Sequence, residues 1–285
     1  MSDTGPNDKF AELDESVREK LNRCREILRK LQRVIVAFSG GTDSSMLLAM
    51  AAETLGTENV LAVMAVSTIF PQRERTTAGQ IADLLGVELK EFETPQLADA
   101  NFTANPTDRC YYCKAMLLGR LKKLADEGGF SAVITGSNAD DENDYRPGRR
   151  AEQQLGVRCP LAESGLTKSD IRSASRAMGL PNWDRPAFAC LATRIPYGRE
   201  ITAEKLSRID QSEEVLLSLD FPQCRVRDHD TIARIEVPAD LIERAVALRE
   251  SIAGPLKALG YTYVALDLEG FRSGSMNEGI RDNAE

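Results

Sequence analysis

The stretch Ser39-Gly40-Gly41-Thr42-Asp43-Ser44-Ser45 carries the densest chemistry in the chain. Its two glycines let backbone N–H groups come close to a ligand, and the hydroxyls of Ser39, Thr42, Ser44 and Ser45 add donors. The apolar run Val34-Ile35-Val36-Ala37-Phe38 before it reads as a buried parallel strand, and Met46 to Ala52 after it as a helix. The stretch is then a strand-to-helix turn whose orphan amides point at one place, which makes a seat for phosphate. A carboxylate beside a polyphosphate is repulsive unless a cation bridges them, so Asp43 is a candidate Mg²⁺ ligand. Neither Gly-x-x-x-x-Gly-Lys-Ser/Thr nor Gly-x-Gly-x-x-Gly occurs in this turn, which excludes the Walker loop and the dinucleotide fingerprint.

Cysteine supplies the second chemistry. Cys110 and Cys113 stand at C-x-x-C spacing in Arg109-Cys110-Tyr111-Tyr112-Cys113-Lys114, and Cys190 lies in a long loop-like segment, 183–198, flanked by Arg185 and Arg194. Nearby cations raise a thiol's thiolate fraction, which a nucleophile or metal ligand needs. Cys24 falls on the apolar stripe of a helix and reads as a small core residue. Arg225, Arg227 and Arg234 alternate onto one strand face without interleaved acids, a face suited to a phosphate or carboxylate. The loop from Gly136 to Gly148 carries Asp140, Asp141, Glu142 and Asp144, which suit either a solvated turn or magnesium and substrate contacts. Ser67 and Thr68 close a strand and are candidate neighbours of a nucleoside, and His229 reads as an exposed turn residue.

The elements that must position these groups follow from periodicity. Helices are predicted over 10–31, 74–85, 167–178, 202–219 and 239–259, with a further one running through Leu124. Strands are predicted over 59–68, 87–92, 132–135, 223–229, 231–237 and 261–268. Alternating strands and helices give an α/β fold with a doubly wound parallel sheet, whose ligands lie at the carboxyl ends of the strands, followed by a smaller C-terminal α+β unit. The expected division is 1–200 and 201–285. The chain of 285 residues has no apolar run of 18 and no signal-peptide layout at its start, so a cytoplasmic protein without a membrane partner is expected. A net charge of −8 argues against a nucleic-acid surface, and six cysteines in such a chain point to thiol or metal chemistry rather than disulfides.

Ser-Gly-Gly-x-Asp-Ser resembles the PP-loop of the ATP pyrophosphatases. Together with Arg109-Cys110-Tyr111-Tyr112-Cys113-Lys114, Gly136-Ser137-Asn138-Ala139-Asp140-Asp141, Asp144-Tyr145-Arg146-Pro147-Gly148, the segment from Cys190 to Gly198 and Arg225-Val226-Arg227, it makes the chain similar to the LarE family of ATP-dependent sulfur transferases over nearly its whole length. That resemblance implies adenylation of a ring carboxylate of a pyridinium dicarboxylate mononucleotide, followed by displacement of AMP by sulfur, on the route to a nickel-pincer nucleotide cofactor. It implies ATP and Mg²⁺ held by Ser39, Gly40, Gly41, Thr42, Asp43, Ser44, Ser45, Ser67 and Gly136, substrate held by Arg194, Arg225 and Arg227, catalysis by Asp43 and Cys190, and a homo-oligomer. Two sulfur sources stay open. Cys190 gives up its own sulfur and becomes dehydroalanine, or Cys110, Cys113 and Cys190 hold a [4Fe-4S] cluster whose fourth iron carries a spare sulfide. Three thiolates leave one iron open, whereas a structural zinc wants a fourth ligand and His229 is remote in sequence. A tRNA thiolase or an amide-forming ligase of the same superfamily would share the loop. The first should show a basic surface, and the second has no need of Cys190.

Overall fold

The computed structural model describes residues 8–142, 147–186, 189–272 and 275. In chain order the helices and strands are α1 (Glu15–Leu31), β1 (Val34–Ala37), α2 (Thr42–Leu55), β2 (Val60–Val66), α3 (Gln72–Leu85), β3 (Glu88–Glu93), α4 (Ala100–Thr103), α5 (Arg109–Gly128), β4 (Ala132–Thr135), α6 (Pro147–Gln154), α7 (Pro160–Glu163), α8 (Lys168–Ala177), α9 (Ala203–Ser218), β5 (Arg225–His229), β6 (Ile232–Glu236), α10 (Ile242–Ala247), α11 (Arg249–Ala258) and β7 (Tyr263–Leu266). They fall into two compact units, both discontinuous in sequence. The first takes 1–67, 72–96 and 108–188; the second takes 68–71, 97–107 and 189–285, where a single cut after 200 is the sequence expectation.

The first unit is an all-parallel sheet in the order β3-β2-β1-β4 with helices packed against it. Its central strands are continuous apolar runs, Val34-Ile35-Val36 and Val60 through Ala65, buried on both faces as parallel strands must be. α2 is buried from Ser44 to Ala51, so it fills the core rather than riding over it. α1 buries only the stripe Val17, Leu21, Cys24, Leu28 and Leu31, and burial pushes the Cys24 thiol up to about 12. α6 and α7 are absent from the sequence reading. Both are short and both begin on proline, whose missing N–H costs nothing at a helix start. α8 starts on a capping box, with Thr167 accepting from the Asp170 N–H and Asp170 from the Thr167 N–H.

In the second unit β5 and β6 are antiparallel and β6 and β7 parallel, covered by α9 and α11 around Leu216, Phe221, Val226, Ile235 and Leu256. The helix expected over 239–259 is broken at Leu248 (φ −92°, ψ 15°), which leaves the helical well between α10 and α11. The segment around Cys190 is tied to the two earlier pieces of chain in this unit. Leu191 N–H donates to the Ile69 carbonyl at 2.8 Å, Gly198 N–H to that of Asn105 at 2.9 Å, and Ile201 N–H to that of Thr103 at 2.9 Å. The fully buried Asn105 amide donates to the carbonyls of Ile195, Pro196 and Arg199. No helix among the described residues is long and apolar enough to cross a membrane.

Candidate functional site

The turn between β1 and α2 is built as its composition requires. Gly40 has φ +74°, and a Cβ there would stand 3.0 Å from the Cβ of Ala78 on α3, so only glycine fits. Gly136, directly after β4, lets that strand's end approach the turn: a Cβ on it would lie 2.9 Å from the Ser44 nitrogen. Ser39 and Ser44 face each other, Oγ to Oγ at 3.1 Å, and Ser44 also donates to the Gly41 carbonyl. Two of the four hydroxyls expected around a phosphate also have partners within the protein. Thr42 Oγ1 donates to the Asn182 carbonyl at 2.7 Å, and Ser45, fully buried, accepts from the Asn182 amide at 3.0 Å. Ser67 is half-buried just past β2.

Asp43 is half-exposed in the first turn of α2, and the buried Asn138 donates to its Oδ2 at 2.9 Å. Asn138 is aimed by its own surroundings, since its Oδ1 accepts from the Asp140 N–H and its N–H donates to Asp141. The acidic loop thus serves the turn. Asp140 also accepts from the Lys168 N–H at 2.8 Å, and Asp141 is buried with Lys168 Nζ 3.7 Å away. Glu142's side chain and Asp144 lie outside the described residues. A half-exposed carboxylate oriented by an amide at a helix N-terminus is a donor set that suits magnesium.

Behind the same sheet edge lies a cluster that composition does not announce. Glu152 is 2% exposed and accepts from Lys114 Nζ and Thr135 Oγ1, each at 2.6 Å, and from Ser137 Oγ at 2.8 Å. Burial pushes its pKa up, but Lys114 and the three hydrogen bonds outweigh that and hold it below the usual carboxylate range. Burial and then Glu152 push the neighbouring Cys159 thiol up to about 11. On the same helix as Lys114, Cys110 is exposed and Cys113 half-buried, with the Gln96 amide 3.9 Å from the Cys113 sulfur. No group of three or more His, Cys, Asp or Glu side chains is gathered around a metal-sized space among the described residues. The pair Cys110 and Cys113, one helical turn apart, suits two ligands of a thiolate-bound cluster.

The second unit holds Cys190 and the arginines. Arg194 is fully buried and forked against the equally buried Glu213 at 2.8 and 3.2 Å; its remaining contacts are the carbonyls of Ala189 and Cys190 and the Thr193 hydroxyl. The donors of Arg194, which the sequence suggests for substrate, are engaged here by Glu213 and by the loop that carries Cys190. Arg185 pairs instead with Glu74 at 3.3 Å in the first unit. The arginine face is not free of acids. Glu236, the cross-strand partner of Arg225, takes Arg227 in a two-point pair at 2.9 and 2.8 Å and Arg234 at 3.0 Å. Arg227 also donates to the Thr193 carbonyl at 2.8 Å. Arg225 donates to the Cys224 carbonyl and stacks on Phe271, and burial, then Arg194, pull its pKa down to about 10. His229 is exposed.

Comparison with known proteins separates the readings. A family profile for NAD synthase matches residues 10–122. The pyridinium-3,5-bisthiocarboxylic acid mononucleotide synthase of Lactiplantibacillus plantarum is 41% identical over 253 residues, covering 89% of this chain and 92% of that protein. The chain belongs to the LarE family. An uncharacterised Synechocystis protein shares 41% identity over 261 residues, 90% of this chain and 97% of its own length. An NH₃-dependent NAD⁺ synthetase of Chlorobaculum tepidum matches at 33% over 150 residues, covering 52% of this chain and 53% of that protein. The matches to the Lactiplantibacillus plantarum synthase and to the Synechocystis protein each span about nine-tenths of this chain, whereas that to the NAD⁺ synthetase spans about half. The chain is an ATP-using, sulfur-transferring enzyme of the PP-loop class.

Proposed function

We propose that this enzyme adenylates a carboxylate of a pyridinium dicarboxylate mononucleotide and converts it to a thiocarboxylate, a step toward a nickel-pincer nucleotide. The observation that carries the reading is the turn at Ser39–Ser45 with Gly136 packed on it and Asp43 aimed by Asn138, in a chain aligned over 92% of a bisthiocarboxylic acid mononucleotide synthase. Adenylation is chemically needed because a carboxylate is a poor electrophile and an acyl phosphate anhydride offers a good leaving group. The loop's amides and the hydroxyls of Ser39 and Ser44 seat the β,γ-phosphates, Ser67 and Gly136 border the nucleoside, and Asp43 is the residue that would hold magnesium, which when bound would supply charge neutralisation at the phosphates. Arg225 suits the substrate's phosphate. Its guanidinium is buried and its pKa is pulled down to about 10, so a charge-assisted contact to an anion would favour its charged form.

For the sulfur, Cys110, Cys113 and Cys190 are the residues that would hold a [4Fe-4S] cluster, which when bound supplies a labile sulfide. The second reading makes Cys190 itself the donor: its thiolate attacks the acyl carbon, AMP leaves, and elimination across Cα–Cβ leaves dehydroalanine and the thiocarboxylate. Its support is that Arg194 and Thr193 fix the carbonyls on both sides of Cys190 without involving Cys110 or Cys113. Intact-protein mass after turnover of anaerobically purified protein, with iron and sulfide assayed, separates them. Loss of about 34 Da at Cys190, the mass of H₂S, sinks the cluster reading, and an unchanged mass over several turnovers with added sulfide sinks the sacrificial one. Absence of pyrophosphate release in either case removes the adenylation chemistry. Size-exclusion with light scattering tests the homo-oligomer proposed with this family.

A further inference from the structure

We propose that Asn182, which follows α8 and is 140 residues distant in sequence from Thr42, is the positioning residue that sets the PP-loop in its phosphate-binding form. The amide nitrogen of its 4%-exposed side chain donates to the Gly40 carbonyl at 2.9 Å and to Ser45 Oγ at 3.0 Å, and its own carbonyl accepts from Thr42 Oγ1 at 2.7 Å. One residue therefore grips the loop at its strand side, at its helix start and between them.

The grip on Gly40 has the largest consequence. A peptide unit is planar, and no peptide bond among the described residues is cis, so fixing the Gly40 carbonyl toward Asn182 turns the Gly41 N–H to the opposite side. That N–H lies over Ser39 Oγ at 3.4 Å, a long contact that an anion can replace with a shorter, charge-assisted one. Gly40 sits at φ +74°, where glycine has several accessible peptide orientations, and without a bolt on its carbonyl the peptide is free to rotate and present oxygen to the phosphate instead. The side-chain orientation of Asn182 is unambiguous for the same reason, since a carbonyl accepts only from the NH₂ end of the amide. Its Oδ1 is buried and finds no partner among the described residues. A buried acceptor without a donor is destabilising, and it is retained here because both amide hydrogens are spent on the loop.

This inference rests on the reading that the loop seats pyrophosphate, and the two fail separately. Calorimetric titration of the full-length protein with inorganic pyrophosphate plus Mg²⁺, and with AMP, is run on wild type and Asn182→Ala. Two lost hydrogen bonds to the loop predict a rise in the pyrophosphate Kd of about tenfold or more, with the AMP Kd within about twofold. Pyrophosphate affinity unchanged in the folded variant overturns the proposal, as do equal losses for both ligands, which mark a general structural defect. If Asn182→Ala does not fold, Asn182→Ser, which keeps the backbone contact to Thr42 and shortens the donor out of reach of Gly40, is read against the same two outcomes. A wild-type protein that fails to bind pyrophosphate overturns the phosphate seat itself.

Discussion

The PP-loop of the first unit and the arginine cluster of the second both present polar groups for anions, and they do so by opposite means. In the loop the donors are backbone amides and short hydroxyls on a glycine turn, and the exposed Ser39 and half-buried Gly41 can meet a ligand without moving charge out of water. Around Cys190 the groups are long cations already paired: Arg194 with Glu213, both at most 1% exposed, and Arg227 with Glu236. A neutral turn gains its selectivity from geometry. A buried ion pair gains rigidity, but each charge depends on the other for its solvation.

The sharpest way to break this comparison is to unpair Arg194. Arg194→Ala removes the two-point cation from the buried Glu213 carboxylate, and should lower stability by about 3–5 kcal/mol, seen as a fall in the midpoint of urea unfolding. Replacing both partners with apolar residues, Arg194→Met with Glu213→Leu, should recover most of that loss. A single variant as stable as wild type would show that the pair is not the scaffold of the Cys190 loop.

Next in size is a crossed effect on kinetics. Asp43→Asn should cut pyrophosphate release by on the order of a hundredfold, near 2.7 kcal/mol, with no change in thermal midpoint, because the side chain faces the seat rather than the core. Arg225→Ala should raise KM for the nucleotide substrate roughly ten- to a hundredfold, in line with a charge-assisted contact of about 1.5–3 kcal/mol, and leave KM for ATP nearly unchanged. Parallel effects of the two variants on both substrates would erase the distinction between the regions.

The smallest effect concerns Glu152, a buried carboxylate of the first unit held by Lys114, Thr135 and Ser137. Its folded pKa lies below the ordinary 4.5, so its ionised form stabilises the fold above about pH 4.5, and that contribution is lost as the pH falls through the lower folded value. Glu152→Gln should therefore reduce stability at pH 7 by about 1–3 kcal/mol and flatten the loss of stability on acidification, measured by urea midpoints between pH 3 and 7. An unchanged acid limb would mean that other carboxylates govern it.

Local sequence determined the parts of this protein whose geometry is local. The order of strands and helices around Ser39–Ser45, the burial of Val34 to Val36 and of α2, and the placing of a phosphate seat at a strand's carboxyl end all follow from residue types within one turn or one strand of each other. Helices α6 and α7 escaped because a helix of eight or four residues has too few positions to show a period. What only the tertiary structure decided are the partners. Asn138 reaches Asp43 across 95 positions and Asn182 reaches Gly40 across 142, while Glu213, 19 residues from Arg194, and Glu236, nine from Arg227, turn an apparently bare cationic face into a paired one. A side chain's hydrogen-bonding capacity is written in its identity, but which group consumes it depends on chain segments brought together by packing, and for Arg194 and Thr42 that consumption sets what they can offer a ligand.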